Sequence, residues 1–248
     1  MNILKLFADY PFIPSFLDSG KEITDIVYDS RKARPDTIFV AMRGANRDGH
    51  DSCMNAYENG CRDFVVEHRV TLPNDAITYL VADSRRALSV MSRSLFQFTP
   101  KEEKKLVPTQ LIAVTGTKGK TSTCMILRSI LEAAGRKVGY IGTLGVMYDG
   151  KVLETPNTTP ESYEIFRHLR QMRLSGCEYV LIEASSQGVK LHRTADLCFN
   201  LGVFTNLSPD HIGPGEHESF EEYLACKREL FSQCALSIGN IDDEYYEQ

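Results

Sequence analysis

The stretch Leu111-Ile112-Ala113-Val114-Thr115-Gly116-Thr117-Lys118-Gly119-Lys120-Thr121-Ser122 decides how the rest of the chain is read. Residues 111–114 are a short apolar run of the kind that forms a buried parallel strand. Residues 121–134 carry Cys124, Leu127, Leu131 and Ala134 at helical spacing and are followed by Gly135, a helix-ending residue. Between strand and helix, glycines let backbone N–H groups turn toward phosphate oxygens, and the helix N-terminus adds a favourable dipole. Gly116, Thr117, Lys118, Gly119, Lys120, Thr121 and Ser122 are therefore expected to bind ATP. Lys120 would reach the β- and γ-phosphates, and the Thr121 hydroxyl would ligate Mg²⁺. The spacing departs from G-x-x-x-x-G-K-[ST], because Val114 stands where the first glycine would fall. A plain glycine turn before a helix is the alternative.

Outward from this loop, strands and helices alternate. Toward the C-terminus, strands are expected at 138–141, 179–182, 201–205 and 235–238, with helices at 161–175 and 219–234. Toward the N-terminus, short strands are expected at 38–42, 64–66 and 78–81. A helix over 52–59 is followed by Gly60, and another over 84–98 has Ser84 as its N-cap. The fold class is α/β: a small N-terminal α/β domain, then a P-loop domain with a parallel sheet covered on both faces. The charged run Lys101-Glu102-Glu103-Lys104-Lys105, between Pro100 and Pro108, marks a linker. The expected division is 1–100, linker 101–108, and 109–248.

The chain has 248 residues, 42% of them hydrophobic, enough to bury a core, and a formal net charge of −5. That balance argues against a dedicated nucleic-acid binder. The longest apolar runs fall short of the roughly 18 to 20 residues needed to cross a bilayer. The N-terminal apolar stretch is broken at Asp9, unlike a signal peptide, so a cytoplasmic location is expected. The seven cysteines are an odd number without a C-x-x-C pair, which speaks for reduced core fillers rather than disulfides or a zinc site.

Three further points converge on the loop. Glu183 follows the strand at 179–182, and Asp210 and His211 follow the strand at 201–205. In a parallel sheet these ends open on the edge that carries the phosphate loop. Taken singly, Glu183 could be a capping carboxylate and His211 an ordinary loop residue. Lys227 falls within the apolar stripe formed by Phe220, Tyr223, Leu224, Leu230 and Phe231 on the helix at 219–234. A lysine there must snorkel, find a partner or lose its charge, and a neutral lysine can be modified.

These residues resemble the Mur ligases, ATP-dependent amide-forming enzymes of bacterial cell-wall synthesis. The loop 115–121 looks like that family's shortened phosphate loop. Tyr28-Asp29-Ser30-Arg31, Gly44-Ala45-Asn46-Arg47-Asp48-Gly49, Asn157-Thr158-Thr159-Pro160, Glu183-Ala184-Ser185-Ser186, His192-Arg193 and Thr205-Asn206-Leu207-Ser208-Pro209-Asp210-His211 extend the likeness over nearly the whole chain. The N-terminal Asp29-Ser30-Arg31 domain together with Asn157-Thr158-Thr159-Pro160 resembles the enzymes of the step that adds the third amino acid, lysine or meso-diaminopimelate, to UDP-MurNAc-L-Ala-D-Glu. The resemblance implies that Ser30, Ala45, Asn46 and Arg47 contact the UDP moiety. It implies that Asn157, Thr158, Thr159, Ser185 and Arg193 hold the muramoyl-dipeptide. Thr121 and Glu183 would ligate the Mg²⁺ on ATP, His211 a second Mg²⁺, and Lys227 would carry a carbamate. Lys120, Lys227 and His211 would be the catalytic residues. Two positions depart from the family: Lys118 replaces a common asparagine and Leu191 a common glutamine. The family has a third domain, so the resemblance also implies a C-terminally truncated chain. A protein that only binds the UDP-MurNAc-dipeptide, or a related ligase acting on another acidic substrate, stays open as an alternative.

Overall fold

The computed structural model describes residues 1–8, 10–18, 20–44, 47–210, 212–213 and 216–245. They form two compact units, Met1–Gln97 and Phe98–Gln248.

The first unit runs α1 (Ile3–Phe7), β1 (Ile13–Pro14), β2 (Asp25–Val27), β3 (Thr37–Val40), α2 (Cys53–Glu58), β4 (Asp63–Val66), β5 (Ile77–Leu80) and α3 (Ser84–Phe96). Its sheet has the order β1-β5-β4-β3-β2; β2 to β5 are parallel and β1 is antiparallel. Every residue of β3 and β4 is buried, as in a sheet covered on both faces. One cap differs from expectation. Asp83, not Ser84, caps α3, accepting from the Arg86 N–H, while the Ser84 hydroxyl donates to Glu67 at 2.8 Å. The helix also ends at Phe96 rather than Phe98.

The second unit begins at Phe98, so the charged run expected as a linker lies within it, and part of that run is helical. In α4 (Pro100–Glu103), Thr99 and Glu102 form a reciprocal capping box. Glu102 and Glu103 pair with Arg170 and Arg173, and both guanidinium groups lie over the Phe98 ring. A charged run that reads as solvated is thus bound to its own unit by opposite charges far away in sequence.

The elements that follow are β6 (Gln110–Thr115), α5 (Lys120–Ala133), β7 (Val138–Gly142), β8 (Gly145–Tyr148), β9 (Lys151–Leu153), α6 (Ser162–Leu174), β10 (Tyr179–Glu183), α7 (Ser186–Lys190), β11 (Phe199–Phe204), α8 (Phe220–Phe231) and β12 (Cys234–Gly239). The seven-stranded sheet has the order β12-β11-β6-β10-β7-β8-β9, with the first five strands parallel. The antiparallel hairpin β8–β9 was absent from the sequence reading. Its turn is Asp149-Gly150, both at positive φ (52° and 71°), a strong local hairpin signal. The sheet's two faces carry separate apolar clusters, one including Val180, Ile182 and Ile165, the other Ile112, Leu181 and Cys124. Among the described residues no helix is long and apolar enough to cross a membrane.

Leu181 sits at the centre of the second cluster with 0% exposure. Leu181→Ala should destabilise the second unit by about 2–5 kcal/mol. Val152→Ala on the outer strand, at 64% exposure, should stay within about 0.5 kcal/mol. Urea unfolding monitored by circular dichroism measures both.

Candidate nucleotide and metal site

The site is built where β10, β6 and β11 end side by side. Glu183 pairs in register with Val114, and Phe204 with Thr115, so the loops after the three strands leave from one edge. Gly116 has φ +144°, and a side chain there would run into Thr205 and the Asn206 backbone. Thr117 N–H donates to the Asn206 carbonyl at 2.8 Å, and Lys118 N–H to Asn206 Oδ1 at 2.9 Å. Asn206 thus clasps the loop from the neighbouring strand end. Gly119, left-handed at φ +84°, opens α5. The first N–H groups of that helix have no intrahelical acceptor, so Lys120, Thr121 and Ser122 carry the donors a phosphate needs.

Lys120 Nζ donates to the carbonyls of Gly116 (2.8 Å) and Thr117 (3.1 Å). Burial lowers its pKa, against the opposing pull of the Glu183 carboxylate. Lys227 reaches the same Gly116 carbonyl at 3.0 Å from α8. It does not snorkel: it is 3% exposed, over the face of the Tyr223 ring. Burial first, and the nearby Lys120 charge second, lower its pKa to about 7. Tyr223 also bonds Thr117 Oγ1 at 2.9 Å, tying α8 to the loop. Lys118 points outward and pairs with Asp210 at 3.0 Å.

Glu183 is fully buried at the end of β10. Its Oε2 accepts from the hydroxyls of Thr121 (3.0 Å) and Thr143 (3.1 Å). Its Oε1 accepts from the Tyr140 hydroxyl and from Thr143 N–H at 3.3 Å. Carboxylate and hydroxyl oxygens make a hard donor set that suits Mg²⁺. Thr143 in turn bonds Thr158 at 3.1 Å, and Thr159 bonds Ser185 at 3.0 Å and donates to the Glu183 carbonyl. Arg193, expected as a ligand contact, is 9% exposed and braces this loop, donating to the Thr159 carbonyl and to Glu161. Asn157 lies exposed beside them.

On the first unit, Ser30 opens a 3-10 turn that Asp29 caps. Arg31 beside it holds the Asp29 carboxyl below its usual range. Arg47 is exposed, its carbonyl accepting from Gly44 N–H. Ala45, Asn46 and His211 lie outside the described residues. Asp48, His50 and His68 lie close enough to hold a metal. Both His50 nitrogens are engaged, however: Nδ1 with Asp48 at 2.5 Å, and Nε2 accepting from Glu67 N–H at 2.9 Å. That histidine locks a turn. All seven cysteines are free, and only Cys198 is exposed.

Tyr140, Thr143 and Tyr223 were given no role from sequence. Thr143 had a signal: it follows a strand in the same sheet, within Gly142-Thr143-Leu144-Gly145, at the edge where ligands bind. Tyr140 and Tyr223 read as ordinary core aromatics, and nothing in their spacing marks them.

Comparisons with known proteins agree with this geometry. Residues 114–248 match the family description "Mur ligase middle domain", and residues 22–101 match "Mur ligase family, catalytic domain". The UDP-N-acetylmuramoyl-L-alanyl-D-glutamate–2,6-diaminopimelate ligase of Clostridium perfringens is 37% identical over 237 residues, covering 96% of this chain and 47% of that protein. The Clostridium tetani protein of the same name is 38% identical over 230 residues, 92% and 46%. A solved structure of a ligase of that name shares the fold, with TM-score 0.81 at 22% identity, covering 100% of this chain and 48% of the other. The chain spans about half the length of the curated relatives it matches.

The buried amine has a thermodynamic consequence. Below about pH 7, Lys227 is charged in both folded and unfolded states, and burying that charge costs stability. Between about pH 7 and its unfolded value of 10.5, only the unfolded chain holds the proton, so stability rises with pH. In CO₂-free buffer Lys227→Met should therefore be more stable than the unsubstituted chain at pH 7. That advantage should shrink toward pH 10, with a slope of at most about 1.4 kcal/mol per pH unit. Paired urea titrations across that range measure the difference.

Proposed function

The chain belongs to the Mur ligase family, and from that premise we propose that it serves the ATP-dependent addition of the third amino acid to UDP-MurNAc-L-Ala-D-Glu in peptidoglycan precursor synthesis. The observation that carries this reading is the juxtaposition at one sheet edge of the phosphate loop, the Thr121–Glu183 pair and the buried Lys227. We assign 2,6-diaminopimelate as the incoming amino acid, because the relatives named above carry it in their names. The work belongs in the cytoplasm, where nucleotide-activated precursors and ATP meet.

The reaction has two steps. The D-Glu γ-carboxylate takes the γ-phosphoryl group of ATP, releasing ADP and leaving an acyl phosphate. The diamino acid's amine then attacks the acyl carbon, phosphate leaves, and the amine gives up a proton as the amide forms. The reactants are anionic, so the chain's task is to hold like charges together and in line.

Lys120 exchanges the carbonyls it now holds for phosphate oxygens, and the α5 N–H groups bind beside it. Thr121 and Glu183 would hold Mg²⁺, which neutralises phosphate charge when bound. His211 is assigned a second Mg²⁺ through the resemblance alone. Thr158, Thr159 and Ser185, with Asn157, line the place for the muramoyl-dipeptide, and Arg193 keeps their loop in shape. Ser30, Ala45, Asn46 and Arg47 are assigned to the UDP moiety. A Lys227 amine that titrates near 7 is largely neutral in a mildly alkaline cell interior. Its nitrogen lone pair can bond to the carbon of CO₂ with loss of a proton, giving a carbamate. The carboxylate-like product would answer the Lys120 charge beside it.

Calorimetric titration with UDP-MurNAc-L-Ala-D-Glu should give saturable binding, while UDP-GlcNAc should bind at least tenfold more weakly. Equal affinity for the two would overturn the substrate assignment. Incubation with ¹³C-bicarbonate at pH 8 should give a carbamate carbon resonance that Lys227→Met lacks. A spectrum unchanged by that substitution would remove the carbamate from Lys227.

A further inference from the structure

We infer that Tyr140 is the positioning residue that decides which oxygen Glu183 offers to a divalent cation. This deepens the reading of Glu183 as a ligand to the cation on ATP and rests on it. Tyr140 lies on β7, next to β10, with Ile141 paired to Ile182 and Tyr140 to Leu181. Its ring is fully buried in the apolar cluster of Leu181 and Val114. A phenylalanine would fill that volume without a hydroxyl needing a partner, and an unpartnered buried hydroxyl is costly.

Here the hydroxyl is engaged twice. It donates to Glu183 Oε1 and accepts from Leu144 N–H at 3.3 Å. The two carboxylate oxygens thereby differ in kind. Oε1 is held by a fully buried phenol and a backbone N–H. Oε2 faces two threonine hydroxyls, one on the phosphate loop's helix and one on the exposed Thr143. Hydroxyls can rotate to donate elsewhere, whereas the phenol is wedged in the core. Oε2 is the oxygen free to exchange its partners.

A second feature is fitted to the same contact. A Cβ on Gly142 would fall on the Tyr140 hydroxyl and on Glu183 Oε1, so only glycine leaves them room to meet. Partners that orient a metal ligand typically contribute about 10- to 100-fold to metal affinity.

The test is Mn²⁺ binding, followed by electron paramagnetic resonance on the 248-residue chain with a non-hydrolysable ATP analogue. Calorimetry of the same analogue in EDTA reports metal-free nucleotide affinity. Tyr140→Phe should weaken nucleotide-dependent Mn²⁺ binding about tenfold and leave metal-free nucleotide affinity unchanged. Gly142→Ala, whose Cβ would crowd both the Tyr140 hydroxyl and Glu183 Oε1, should also weaken Mn²⁺ binding, and unchanged affinity there overturns the inference even if Tyr140→Phe fails to fold. Glu183→Gln is the reference for losing the ligand itself. Unchanged Mn²⁺ affinity in the tyrosine and glycine variants, with loss in Glu183→Gln, overturns the role of Tyr140 alone. Unchanged affinity in Glu183→Gln, or no nucleotide-dependent Mn²⁺ binding by the unsubstituted chain, overturns the Glu183 reading and this inference with it. Equal losses of metal and metal-free nucleotide binding in Tyr140→Phe would mark a merely structural role and also overturn it.

Discussion

The parallel ladder of β10, β6 and β11 is the constraint on which the site depends. Parallel pairing makes neighbouring strands end on the same edge, and the register here aligns Glu183 with Val114 and Phe204 with Thr115. A slip of one residue would turn the Glu183 side chain to the opposite face of the sheet. The apolar residues on both faces oppose such a slip, because it would exchange Leu181 and Ile182 between two packed clusters. The core thus holds the strand ends, and with them Glu183, in place.

The same edge concentrates charge in a poorly solvated space. Lys120 and Lys227 share one backbone carbonyl, and Glu183 is wholly buried near them. Burial first lowers the pKa of both lysines, and the neighbouring Lys120 charge lowers that of Lys227 further. A triphosphate would supply the missing negative charge. Among the described residues, the hydrogen-bond partners of the Glu183 carboxylate are hydroxyls and an N–H rather than cations. The electrostatics are those of a site prepared for a charged ligand, with stability given up locally to hold it.

Much of this was legible before the fold was seen. The strand–glycine loop–helix order at 111–122 was legible, because glycine suits the positive-φ backbone found at Gly116 and Gly119. Lys227 stood out because a helical period of about 3.6 residues put it within an apolar stripe, and it is buried. Local rules were weaker at boundaries. Asp83 rather than Ser84 took the cap, because Ser84 found Glu67 across the first unit. The charged run 101–105 gives no sign in sequence of its partners, because Arg170 and Arg173 reach it from α6.

Sequence alone determined the α/β alternation, the glycine loop between β6 and α5 and the anomaly of Lys227, since each follows from periodicity, backbone freedom or charge over a short span. Tertiary structure alone decided that Tyr140 grips Glu183, that Tyr223 ties α8 to the loop, and that Arg193 braces a loop. Those contacts join residues 34 to 106 positions apart. Their side chains are ordinary by type, and only the strand register and the packing of α8 bring the polar atoms within hydrogen-bond reach.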